Sequence, residues 1–148
     1  MLASRARLLI VTLWVGSLWT IGCLVAPILF ATLPDKALAG TIAGTLFRLE
    51  AWLSVFCSVI LMALLRARRD NNPKQLKAAL VLVAGMLVCT LIGYFALHPF
   101  MAALRETAGP AGMMASDAKM QFGILHGISS GMYLIQSLLG VVLLFEIR

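Results

Sequence analysis

Few residues in this sequence can do chemistry, and most of those stand near the ends of long apolar runs. Arg48 and Glu50 lie near the start of the second run, His98 closes the third, and His126 falls in the first turns of the fourth. Ionisable groups at membrane depth face a protein interior or a wet cavity. Arg48, Glu50, His98 and His126 are therefore candidates for a polar vestibule that binds or passes a small solute or a proton. The two histidines also suit a second chemistry. His98 and His126 are candidate metal ligands, either as an axial pair on haem or, with Met101, Met113, Met114 and Met120, as a soft Cu(I) site. A plainer reading stands beside both: interfacial Arg and His hydrogen-bond water and headgroups, and Glu50 neutralises an Arg.

Catalysis has less to stand on. The sequence holds no nucleophile elbow, no HExxH, no phosphate-binding glycine loop and no carboxylate pair. A non-enzymatic protein is expected, and nucleotide-driven transport is excluded. Cys23, Cys57 and Cys89 fall in three different apolar runs and cannot all pair. At 1.5 Å per residue, Cys57 and Cys89 lie within ~5 Å of one another in depth and Cys23 ~6 Å further out, which argues against a three-thiolate site. No cofactor is expected, haem or copper being the alternative.

The elements that must position these groups follow from composition. The chain has 148 residues, 61% hydrophobic and 12% charged, with a mean hydropathy of +0.99. Soluble domains carry roughly 25% charge, so a soluble enzyme, a nucleic-acid binder and a disordered tail are all excluded. The lipid bilayer is the first partner. Four apolar runs, residues 8–33, 41–65, 78–97 and 121–145, are each long enough for a bilayer core of about 30 Å. Lipid leaves helices as the sensible reading. The expected fold is all-α: an integral membrane four-helix antiparallel bundle, both termini cytoplasmic, forming a single domain over residues 1–148. Charge sets the orientation. Arg5, Arg7, Arg66, Arg68, Arg69, Lys74, Lys77 and Arg148 gather on one side, against Lys36, Arg48, Arg105 and Lys119 on the other. The positive-inside rule puts the first group in the cytoplasm. The first run is longer than the 7–15 residues or so of a signal h-region, so its retention is expected.

Two further expectations concern placement. From Leu65 back to Glu50 is ~22 Å of helix, which puts Glu50 a few Å inside the outer boundary. Pro99 is suited to open a short separate helix, with Phe100, Met101 and Leu104 on one side and Arg105-Glu106 facing away. The stretch from Ala108 to Gly112 then ends it.

Helices in lipid associate by close approach at small residues. Gly123, Gly127 and Gly131 form a ridge on helix four. Gly85, Cys89 and Gly93 do so on helix three, and Gly40 with Gly44 where helix two begins; Ser54 and Ser58 continue that last pattern inward. Such grooves serve contacts within one chain, a homo-oligomer, or an accessory subunit of a larger membrane complex.

Resemblance enters on residues from all four helices. Ala26-Pro27-Ile28-Leu29-Phe30 ends helix one, and Ala39-Gly40 with Gly44-Thr45-Leu46-Phe47 opens helix two. Pro99 follows helix three, and Phe122-Gly123-Ile124-Leu125-His126-Gly127-Ile128-Ser129 opens helix four. In this order the chain resembles the transmembrane-protein-205-like family, whose bacterial members form domain of unknown function 4149. The resemblance implies a small protein of the bacterial inner (plasma) membrane and brings no established reaction with it.

Overall fold

A computed structural model describes residues 2–67, 72–106 and 116–147 of the chain. Its elements are α1 (Leu2–Trp19), a π-helical turn at Thr20–Val25, α2 (Ala26–Thr32), α3 (Lys36–Arg66) and α4 (Pro73–Thr90). A second π-helical turn at Leu91–Ala96, α5 (Leu97–Glu106) and α6 (Ser116–Glu146) complete the order. No strand occurs among the described residues. Four continuous helices, Ser4–Thr32, Lys36–Arg66, Pro73–Glu106 and Ser116–Glu146, are long and apolar enough to cross a membrane. Arg68, Arg69, Met113, Met114, Arg148 and the stretch from Ala108 to Gly112, all used in the sequence reading, lie outside the described residues.

The helices outrun the apolar runs because polar caps decide where they end. Asp35 Oδ1 accepts from the backbone N–H of Ala37 at 2.8 Å and of Leu38 at 3.1 Å, so α3 begins at Lys36. Lys36 Nζ donates to the carbonyls of Phe30 at 2.6 Å and Leu33 at 3.1 Å, closing the end of span one. Asn72 caps α4 through Gln75 N–H at 3.4 Å, with Pro73 in the first helical position. The early start of α3 changes where Glu50 stands along the helix and leaves its separation from Leu65 as it was. Glu50 sits at the middle of a 31-residue helix rather than near its distal end.

Pro99 does not open a separate helix. The helix of span three runs through it to Glu106. A proline inside a helix lacks an N–H and presses on the carbonyl four residues back. Here the six residues just before each proline-bearing segment are wound wider: Thr20–Val25 ahead of Pro27, and Leu91–Ala96 ahead of Pro99. Ala26 N–H accordingly reaches back five residues to Ile21 O, and Leu97 N–H to Ile92 O. Continuing the helix also turns α5 differently from expectation. Met101 is buried, Phe100 is 65% exposed, and Arg105 points over a cavity instead of away from it.

Each span packs on its neighbours in sequence, and the first closes on the last: α1 lies against α3 and α6, and α4 against α3 and α6. The starts of spans one and three meet the ends of spans two and four, so neighbouring spans run antiparallel. Gln75 Nε2 fixes one such meeting, donating to Glu146 O at 2.8 Å. In this proximal half, Val11, Leu61, Leu65, Val83, Met86 and Leu143 are all 0% exposed and seal the interior. The outer surface of this half carries large exposed apolar side chains, Leu13, Phe56 and Phe145 among them, as a lipid-facing surface does.

The closest helix approaches use glycines other than those of the ridges. A Cβ on Gly22 would lie 2.5 Å from the Tyr133 ring, and one on Gly140 would lie 2.8 Å from Val15 Cγ2. Of the ridge glycines, a Cβ on Gly85 would lie 3.4 Å from Leu139 and one on Gly93 3.2 Å from Met132, both on α6, and one on Gly40 would lie 3.6 Å from the Arg105 guanidinium. A Cβ on Gly44, Gly123, Gly127 or Gly131 would meet nothing within 4 Å among the described residues.

Candidate functional site

Both widened turns lie at the same end of the molecule and are held by one face of α6. Tyr133 Oη donates to Leu18 O at 2.8 Å, just before the first turn. One helical turn away, Ser129 Oγ donates to Gly93 O at 2.7 Å, inside the second. Gly22 and Gly93 leave room for this approach. Beyond the Gly22–Tyr133 contact, span one stays with α3, through its π turn and α2, and parts from α6. The gap is a cavity of about 700 Å³, bounded by all four spans. That volume lies inside the roughly 300–1,000 Å³ of small-molecule sites.

Its floor is polar and built from buried side chains. Glu50, Ser54, Thr90 and Gln136 line it and are each 4% exposed or less. Ser54 Oγ accepts from Trp14 Nε1 at 2.8 Å and from Gln136 Nε2 at 3.0 Å, while Thr90 Oγ1 donates to Gln136 Oε1 at 3.1 Å. This chain of bonds ties all four spans together. Glu50 Oε1 accepts from Ser17 Oγ at 3.1 Å, but that hydroxyl also lies 2.8 Å from Trp14 O, and it has one proton to give. Among the described residues, the second carboxyl oxygen of Glu50 has no hydrogen-bond partner.

The walls are mostly apolar and aromatic. Trp19, Phe30, Phe47 and Tyr133 face the cavity, and Phe47 meets Tyr133 edge to face at 5.2 Å. Basic groups stand at the mouth. Arg105 lies over the Phe122 ring at 5.0 Å, and His126 stacks on the other side of the same network, 6.0 Å from Phe122. His98 leans on Tyr94, ring centres 4.7 Å apart.

Of the four residues singled out from sequence, Glu50, His98 and His126 line this one cavity, and Arg48 does not. Two residues from Glu50 is roughly 200° round a helix, so Arg48 is exposed and turned off the Glu50 face of α3, yet it stays within electrostatic reach of Tyr94 and His98 beside the mouth. Arg105 occupies the place at the mouth that was expected of Arg48. As for metal, no group of three or more His, Cys, Asp or Glu converges among the described residues. Cys57 and Cys89 are buried while Cys23 is exposed, and Cys23 and Cys89 both line the cavity.

Sequence reasoning missed Ser17, Thr90, Arg105, Tyr133 and Gln136. Gln136 carried a readable signal, an amide in the middle of an apolar run, where a polar side chain must find a partner across helices. Ser17 and Thr90 carried none, since small hydroxyl residues are ordinary within membrane helices.

The family described as Domain of unknown function (DUF4149) matches the chain over residues 9–110. The match takes in spans one to three, with Glu50, His98 and Arg105, and ends before α6. No curated protein and no solved structure matches the chain.

Proposed function

The chain belongs to the DUF4149 family, and with that as premise we propose that it is a non-enzymatic, multi-pass protein of the bacterial inner membrane whose distal cavity binds a small solute. The kinship we assign is to bacterial members of the transmembrane-protein-205-like family, on the motifs quoted above. We place both termini in the cytoplasm, which turns the mouth of the four-helix bundle outward. One observation carries the reading: Glu50, 2% exposed at mid-helix, stands at the floor of an open cavity with one carboxyl oxygen unpartnered among the described residues. That oxygen is open to the cavity, and ionisable groups in membrane helices that face a protein interior or a wet cavity mark functional sites. Binding fits better than free passage, because the proximal half below the floor is sealed by Leu61, Val83, Met86 and Leu143.

Cys23 offers a native test, since it lines the cavity. A variant with Cys57→Ala and Cys89→Ala keeps it as the sole thiol. Thiolates form in water, not in hydrocarbon, so a charged methanethiosulfonate added from outside should label Cys23 in intact cells. A Cys23 that stays unreactive in the folded protein both in intact cells and in inverted vesicles would sink the open-cavity reading.

A further inference from the structure

Resting on the distal cavity as a binding site, we propose that its ligand class is a lipophilic organic cation, a hydrophobic ammonium or phosphonium, anchored by Glu50 and admitted from the bilayer between spans one and four. Three observations converge on it. The anchor is a carboxyl group buried to 2% exposure, lining the cavity, with an unpartnered oxygen among the described residues. Among the described residues no cation supplies that partner: Arg48 does not line the cavity, and Arg105 stands at its mouth. A ligand carrying its own positive charge completes the site.

The walls point the same way. Trp19, Phe30, Phe47, Tyr94 and Tyr133 line the space above Glu50, and aromatic faces attract organic cations more strongly once water is excluded. The access route suits an apolar molecule. Spans one and four part beyond Gly22 and Tyr133, and over this stretch both carry exposed apolar side chains, Leu24 and Ile28 on span one and Ile124 and Ile128 on span four.

The charges that oppose this reading are Arg105, His98 and His126 at the mouth and Arg48 beside it. Arg105, His126 and Arg48 are exposed, so solvent and salt screen them, whereas the buried carboxyl group is screened far less. The floor therefore decides the sign of the ligand and the mouth does not.

Tetraphenylphosphonium and tetraphenylborate have nearly the same size and shape and opposite charge, which makes them the probes. Binding of each to the full chain in lipid nanodiscs is measured directly, and Cys23 labelling reports whether the cavity is occupied. The phosphonium should bind at least about tenfold more tightly than the borate and protect Cys23. Glu50→Gln should abolish the preference and Glu50→Asp should keep most of it; the comparison of the two ions on the unmodified chain needs no variant. Equal or preferred binding of the borate overturns the cationic class while leaving the cavity in place. A phosphonium preference that survives Glu50→Gln overturns Glu50 as its anchor. A reactive Cys23 that neither ion protects overturns the inference alone, and an unreactive Cys23 overturns the binding-site reading beneath it.

Discussion

Ser54 looks like a small packing residue in the sequence, four positions from Ser58 on a groove that begins with Gly40 and Gly44. In the structure it is 1% exposed and accepts two hydrogen bonds from different helices, Trp14 Nε1 on α1 and Gln136 Nε2 on α6. The two readings separate cleanly on one substitution. If Ser54 only fills space, Ser54→Ala is nearly silent. If it is the shared acceptor, the change strands two buried donors, and leaving a buried donor unmade costs about 1–3 kcal/mol. We expect a loss in that range by reversible unfolding in detergent. Ser58→Ala should be close to neutral, because Ser58 Oγ donates within its own helix, to Ser54 O at 2.7 Å. Glu50, His98 and His126 were legible because a charge or an imidazole interrupts an apolar run. Ser54, Ser17 and Thr90 were not, since a hydroxyl scarcely changes hydropathy and its partner lies on another helix. Arg105 was misplaced for another reason: its direction depended on whether the helix stopped at Pro99.

At the scale of elements, the spans were legible from hydropathy alone, while their ends and their widened turns were not. Asp35 starts α3 ahead of its apolar run by capping it, and Lys36 closes the end of span one. The π turns answer to Pro27 and Pro99, whose usual meaning is a helix end or a kink. Reading glycines by spacing found a ridge on α6, but spacing does not say which face meets a neighbour. Gly22 and Gly140 do meet one, and they sit outside the ridges. Gly22→Ala would press on the Tyr133 ring, which cannot swing aside freely. It is held by Leu18 O at 2.8 Å and by Phe47 at 5.2 Å. Overpacking of this kind costs about 1–3 kcal/mol, so Gly22→Ala and Gly140→Ala should each lower the unfolding temperature in detergent. The Cβ of Gly127→Ala meets nothing within 4 Å among the described residues, and alanine is favoured over glycine within a helix by up to about 1 kcal/mol. It should leave the stability of the isolated chain unchanged or raise it. Gly22→Ala should also disturb the cavity, since Gly22 and Tyr133 both line it, and the rate of Cys23 labelling reads that change separately.

For the molecule as a whole, the two halves differ in kind: a sealed apolar core toward the termini and an open, polar-floored cavity at the other end. Which half faces the cytoplasm decides where a ligand comes from, and the charge pattern gives the answer to test. Eight basic residues (Arg5, Arg7, Arg66, Arg68, Arg69, Lys74, Lys77, Arg148) attach to the proximal half, against Lys36, Arg48, Arg105 and Lys119 at the distal half. Of the distal four, Arg105 is partly engaged with Phe122 at 5.0 Å, and Lys36 is engaged with the carbonyls that end span one. The bias should therefore hold the proximal half inside. Fluorescent protein fused after residue 148 should fold and emit in the bacterial cytoplasm, while alkaline phosphatase inserted between residues 110 and 111 should be active outside it. Neutralising Arg66, Lys74 and Lys77 together removes part of that bias on a single loop and should yield a mixed population by the same two reporters. The opposite result on the unmodified chain, a dark terminal fusion and an inactive phosphatase, would turn the cavity toward the cytoplasm. Glu50 would then meet solutes of the inner leaflet, and labelling of Cys23 by a reagent that cannot cross the membrane would vanish in intact cells yet return in inverted vesicles.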